Sequence, residues 1–196
     1  MTWLSIGKIK DMLNNKFKNM KRLVVLFTAL IIGSTMFSQK MITRSGEIKF
    51  DATVPGAMDE VIGTNKTVSA IFDKSTTDLV VLALVKSFKF KSPLMEEHFN
   101  ENYMESDKLP KATFKGKVLN YKGKAGSYDV EGDLTIHGVA NKVKTKMAVA
   151  NDGEKLMISG AFTIKLIDYK IDVPALAKKT LSETAKISIK LVLENK

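Results

Sequence analysis

Apolar and polar residues alternate with period two through most of the chain beyond residue 45, the pattern of strands with one face buried and one face wet. Ile48, Phe50 and Ala52 alternate with Glu47, Lys49 and Asp51, and Val68, Ala70 and Phe72 with Thr67, Ser69, Ile71 and Asp73. A long strand is expected from Asp78 to Phe90, its apolar stretch Leu79–Val85 giving way to Phe88-Lys89-Phe90-Lys91. Further strands are expected over Thr113–Leu119, Tyr128–Ile136, Lys142–Ala150, Lys155–Leu166 and Ala185–Leu193. In the sixth, Lys142, Lys144 and Lys146 face one way and Val143, Thr145 and Met147 the other.

Eight strands with mostly short connections favour an antiparallel barrel, because closure removes the exposed edges a flat sheet must protect. Asn151-Asp152-Gly153 is a strong hairpin signal, Lys122-Gly123-Lys124-Ala125-Gly126 a looser loop, and His137-Gly138 a tight corner between two strands. An eight-stranded barrel has room for side chains or for one small ligand. One helix interrupts the strands. Ser92 is its expected N-cap, Pro93 suits the first helical position, and Glu96 and Glu97 favour the positive end. Met95, Phe99 and Tyr103 recur every four residues as one apolar stripe, so the helix is suited to lie across a barrel mouth. A second helical piece is expected over Pro174–Thr180.

The first forty residues differ from the rest. Met20-Lys21-Arg22 precedes the apolar run Leu23–Ile32 and then Gly33-Ser34-Thr35-Met36-Phe37-Ser38-Gln39, the layout of a cleaved export signal. The run is shorter than the roughly 20 residues a transmembrane helix needs. Residues 20–38 are therefore expected to be a signal peptide cut near Ser38, with 39–196 one mature domain in the periplasm or secreted. Residues 1–19 have no place in such a signal and read as an upstream extension from a misassigned start codon, with an extended n-region of the signal the lesser alternative. The formal charge of +10 shrinks accordingly. The first 38 residues hold six Lys or Arg and one acid, leaving 25 basic and 20 acidic side chains, a net of +5. These charges are scattered, which argues against a nucleic-acid partner.

Little in the sequence carries chemistry. The chain has no cysteine, so disulfides, thiolate ligands, a cysteine nucleophile and a lipidated cysteine are all excluded. Its two histidines lie 39 positions apart and neither belongs to a zinc-binding pair. His98 is expected to bond to backbone or an acid at the barrel rim, with a metal or acid–base role alongside Glu101 the lesser alternative. His137 reads as a corner residue whose ring nitrogen ties down a loop, with ligand contact the lesser alternative. No nucleophile elbow or phosphate-cradling glycine loop is present. No enzyme activity, cofactor or metal is expected. The alternations Lys115/Lys117 and Lys142/Lys144/Lys146 read as solvated strand faces, with transient contact to an anionic membrane surface as the functional alternative.

Several segments in order along the chain resemble the YceI-like family. They are Gly46–Asp51, Gly63-Thr64-Asn65, Ser87-Phe88, the helix Leu94–Phe99, Lys108-Leu109-Pro110-Lys111-Ala112-Thr113-Phe114-Lys115-Gly116, and Tyr128-Asp129-Val130-Glu131-Gly132-Asp133-Leu134-Thr135-Ile136-His137-Gly138. The resemblance spans about residues 42 to 193. It implies a mainly β fold, an extended eight-stranded lipocalin-like barrel with one or two short helices, in an exported protein. The implied function is non-catalytic binding of a polyisoprenoid or similar amphiphilic lipid inside the barrel. The alternative is a ligand-free barrel acting as an envelope protein-interaction module, and a dimer is compatible with either. Carried over by position and strand parity, the lining is Phe88, Phe90, Phe99, Tyr103, Phe114, Leu134, Ile136 and Phe162. The chain departs from its relatives at Leu166-Ile167-Asp168-Tyr169-Lys170-Ile171, which bears on the closing end of the cavity.

Overall fold

The computed structural model describes residues 40–196, so the expected upstream extension and signal peptide lie outside the described residues. The strands are β1 Lys40–Thr53, β2 Ile62–Asp73, β3 Asp78–Leu84, β4 Lys89–Phe90, β5 Lys111–Val118, β6 Gly126–Ile136, β7 Val139–Asp152, β8 Lys155–Lys165 and β9 Leu181–Asn195. Antiparallel pairing runs β1-β9-β8-β7-β6-β5-β3-β2, and β2 returns to β1. The result is a closed eight-stranded barrel, with β4 a two-residue flap against Gly63 and Thr64 of β2. Closure leaves no long unpaired edge. The alternation read from the sequence is realised: Val68, Ala70 and Phe72 point inward from β2, and Lys142, Lys144 and Lys146 point outward from β7.

The outer lysines meet acids directly across the strand pair. Lys142 lies 3.2 Å from Asp133, Lys144 3.5 Å from Glu131 and Lys146 2.9 Å from Asp129, each pair in register between β6 and β7. Lys117 likewise lies 2.8 Å from Asp78. The β6–β7 face is thus a ladder of opposite charges and not a basic surface.

The long strand expected from Asp78 to Phe90 is broken. β3 ends at Leu84, a 3₁₀ turn covers Val85–Ser87, and Phe88 leads into β4. Two hydrogen bonds account for the break. The Leu84 carbonyl accepts from Nδ2 of Asn65 (3.0 Å), and the Val85 N–H donates to the Pro110 carbonyl (2.9 Å). Asn65 is fully buried and also accepts from the Thr67 backbone and hydroxyl, which leaves neither end of its amide wasted. The second expected helical piece shrinks to a 3₁₀ turn at Ala177–Lys179. The Asn151-Asp152-Gly153 hairpin forms with its loop one residue later, at Gly153-Glu154, since Asp152 already pairs with Lys155.

The two barrel ends differ. Short turns 74–77, 119–125 and 153–154 close one end, where Phe72, Tyr121 and Tyr128 stack edge to face with centroids 5.3 and 5.4 Å apart. Connections 54–61, 85–110 and 166–180 crowd the other end, together with the His137-Gly138 corner. That crowded end is the mouth.

Candidate functional site

The helix α1, Pro93–His98, is capped as its sequence requires: Oγ of Ser92 accepts from the Met95 N–H at 3.4 Å. It then widens into a π turn over Phe99–Tyr103, closed by the Met104 N–H on the Phe99 carbonyl at 2.9 Å. The wider turn changes the inward face. Phe99 and Met104, five apart, are buried, whereas Met95 and Tyr103 of the expected four-residue stripe are half-buried. A clamp fixes the helix to β4: Lys89 reaches Oε1 of Glu96 at 2.5 Å, and the Phe90 N–H donates to Oε2 at 3.2 Å. The Lys89 ammonium, with that backbone donor, holds the Glu96 carboxyl below the ordinary glutamate range.

Phe99 is the hub of the site. Its ring centroid lies 4.9 Å from that of Phe90, 5.6 Å from Phe88 and 5.8 Å from Phe50, all tilted. On either side of it is an empty space. The inner cavity, of about 110 Å³, is lined by apolar side chains except for Thr113 and Thr145. The outer cavity, of about 200 Å³, lies under the helix and carries His98, Tyr103 and Thr180 among apolar neighbours. Phe50, Phe99, Met104, Leu166 and Ile171 line both.

All eight residues expected to line the interior face one cavity or the other. Phe88, Phe99, Phe114, Leu134, Ile136 and Phe162 line the inner one, and Phe90 and Tyr103 line the outer one with Phe99. Residues missed by that reading include Ile48 and Phe50 of β1, Ile187 and Ile189 of β9, Met104, Leu166 and Ile171. Strand parity marks the first four, since each alternates with charged or hydroxyl residues. The last three follow from the π turn and the β8–β9 connection, which have no sequence period. Leu166–Ile171, the segment expected to bear on the closing end of the cavity, sits at the mouth, its 3₁₀ turn Leu166–Tyr169 ending in Lys170 at φ +57°.

The two histidines have different fates. His98 is exposed and makes no hydrogen bond among the described residues, so the expected rim bond is not formed. Solvent satisfies it there at no cost. His137 does tie down a loop. It occupies the β6–β7 corner at φ +49°, followed by Gly138 at +74°, and Nδ1 donates to the Tyr169 carbonyl at 3.1 Å. A carbonyl only accepts, so the Nδ1 proton is assigned by its partner. Beside it, Asn141 donates to the Asp168 carbonyl at 2.7 Å. These two bonds pin the β8–β9 connection, and hence Leu166 and Ile171, against the cavity. No group of three His, Asp or Glu side chains among the described residues is placed to hold a metal ion.

The family model of the YceI-like domain matches residues 38–193. Among solved structures, the fold is similar to a polyisoprenoid binding domain from Saccharophagus degradans implicated in plant cell wall breakdown (TM-score 0.68, 15% identity, 81% of this chain and 99% of that one). It is also similar to Burkholderia cenocepacia BcnA (0.64, 20%, 75% and 95%) and to the Campylobacter jejuni YCEI protein (0.59, 21%, 71% and 88%). No curated protein matches the sequence. With its closed antiparallel barrel, its mouth helix and a family match over almost all described residues, the chain belongs to the YceI-like domain family.

Proposed function

We propose that this protein is an exported, non-catalytic carrier that holds a polyisoprenoid or similar amphiphilic lipid inside its barrel. The observation that carries the proposal is the pair of apolar cavities meeting at Phe99, the outer one bearing the polar groups of His98, Tyr103 and Thr180. A tail lies inward and its polar end remains beside those three groups. Each buried methylene contributes about 0.8 kcal/mol, so a few enclosed prenyl units offset the cost of ordering the chain. The inner cavity is smaller than an apolar cavity of roughly 150 Å³ that admits benzene. A long tail therefore enters only when the Phe99 ring swings out of the partition and the two spaces become one.

Family membership and the likeness to a polyisoprenoid binding domain support the ligand class. The non-catalytic reading is supported by the separation of the two histidines, one solvated and one engaged with backbone. Export rests on the segment 20–38. The test is native mass spectrometry of protein purified from the exported fraction, before and after organic extraction. A discrete added mass that extraction removes supports a carrier and gives its cargo class. A clean apo mass with no gain on adding polyprenyl or fatty ligands refutes the reading.

A further inference from the structure

Seven large apolar side chains are strongly exposed among the described residues, and their distribution is lopsided. Met58, Leu94, Ile167 and Leu176 all lie on connections at the mouth, and Leu84 ends β3 at that same end. Ile71 and Val80 are a cross-strand pair on the barrel wall. Turns at the opposite end, such as Lys74-Ser75-Thr76-Thr77 and Gly153-Glu154, carry none. Met58 is fully exposed and Leu176 is 96% exposed, each at the tip of a different connection.

Leu94, Ile167 and Leu176 are each next in sequence to a residue that lines the outer cavity, namely Met95, Leu166 and Ala177. The Val54 N–H donates to the Thr180 carbonyl at 3.3 Å, joining the base of the Met58 loop to the end of the Leu176 loop. Val61, Met95 and Ala177, from the three connections concerned, line that cavity together. Separate apolar tips beside an apolar cavity form a surface that is unfavourable in water and favourable in the boundary layer of a bilayer.

Charge decides which bilayer. In segments 54–61, 85–110, 137–138 and 166–180 the carboxylates outnumber the lysines, nine to seven. The lysines of β7, the alternative membrane contact, are matched by acids in register. Neither face offers the polybasic patch that anionic lipid requires.

We infer that the mouth docks on a lipid bilayer by inserting Met58, Leu94, Ile167 and Leu176, independently of anionic headgroups. This inference rests on the carrier reading and supplies its loading step: the cavity opens directly onto the membrane that holds the cargo.

The test is flotation of the mature protein, residues 39–196, with phosphatidylcholine vesicles, and with vesicles containing phosphatidylglycerol, at about 0.05 and about 0.5 M salt. The protein is expected to float with both, with little effect of salt. Met58→Ser with Leu176→Ser is expected to weaken partitioning roughly tenfold or more. Ile71→Ser with Val80→Ser is expected to leave it unchanged. Both serine tips are solvent-exposed, and an unaltered far-UV spectrum verifies folding; Leu176→Ser alone gives the same direction if the double variant misfolds. Failure to float, floating only on anionic vesicles at low salt, or loss through the wall pair instead of the tips overturns the inference. Binding of a fluorescent fatty acid without vesicles is measured in parallel. Its retention by the tip variant isolates docking, and its absence from the parent protein refutes the carrier reading alone.

Discussion

Oε2 of Glu105 lies 3.5 Å from Nε2 of His137, an imidazole nitrogen that is buried and has no hydrogen-bond partner. The opposite nitrogen is committed to the Tyr169 carbonyl, so Nε2 carries a lone pair in the neutral ring and faces a carboxylate. Three connections of the mouth therefore meet at one side chain: the loop after the helix, the β6–β7 corner and the β8–β9 connection.

Replacing His137 by Ala removes the bond to Tyr169 and leaves a Cβ-bearing residue at positive φ without a side chain to justify it. The expected loss is about 1–3 kcal/mol of stability. His137→Asn is expected to lose less, because asparagine tolerates the left-handed region. Urea denaturation of the two variants orders them, and equal losses would contradict the backbone part of the argument.

Acid is expected to weaken the fold. Lys108, chiefly, holds the Glu105 carboxyl below its ordinary range, Lys146 does the same for Asp129, and Lys117 followed by Thr76 for Asp78. Each carboxylate binds fewer protons folded than unfolded, so its contribution is complete above the ordinary carboxylate range and drains away as pH falls through the lowered value. The urea midpoint should be flat from pH 7 to about 5 and fall steadily below about pH 4. A midpoint that rises on acidification contradicts this.

Gly116 of β5 and Gly132 of β6 face each other across the pair, and the Phe114 ring folds over Gly116 into the barrel. An alanine methyl at Gly116 would overlap the Glu131 carbonyl oxygen, the Gly132 Cα and that ring. Two of these are backbone atoms of the partner strand, which move only if β5 and β6 part. Gly116→Ala is expected to cost about 3 kcal/mol or more. A thermal midpoint near that of the parent would show that the strands yield more easily than their packing suggests.

Phe99→Ala joins the two cavities. Because the ring already borders empty space, its loss is expected near the lower end of the roughly 3–5 kcal/mol typical of a buried phenylalanine. Added fatty ligand should restore part of that stability by binding only the folded state. Phe99→Trp should act oppositely, shortening the longest tail retained in native mass spectra. Identical cargo in both variants would remove Phe99 from the role of partition.

Parity made the barrel legible. The inward sets of β2, β5, β6 and β8 could be read because one residue in two meets water, and a slip of one would bury the lysines. The break after Leu84 was not legible, because the apolar run continues to Val85 and the cause is a buried amide, Asn65, nineteen positions upstream. Likewise, Met104 reaches the cavity only through a π turn, which the spacing of Met95, Phe99 and Tyr103 does not announce. His137 was readable as a corner, since glycine follows it between two strands. Its contact with Glu105 was not, because nothing local relates the two loops.

The stacked rings of Phe72, Tyr121 and Tyr128 give the barrel a fixed zero mark. If tails are threaded from the mouth, each is measured from that blind end like a rod in a depth gauge. Substitutions among Leu94, Met95 and Phe99 then govern admission, whereas those at Tyr121 govern reach. Relatives that select chains of different length should differ first at the floor.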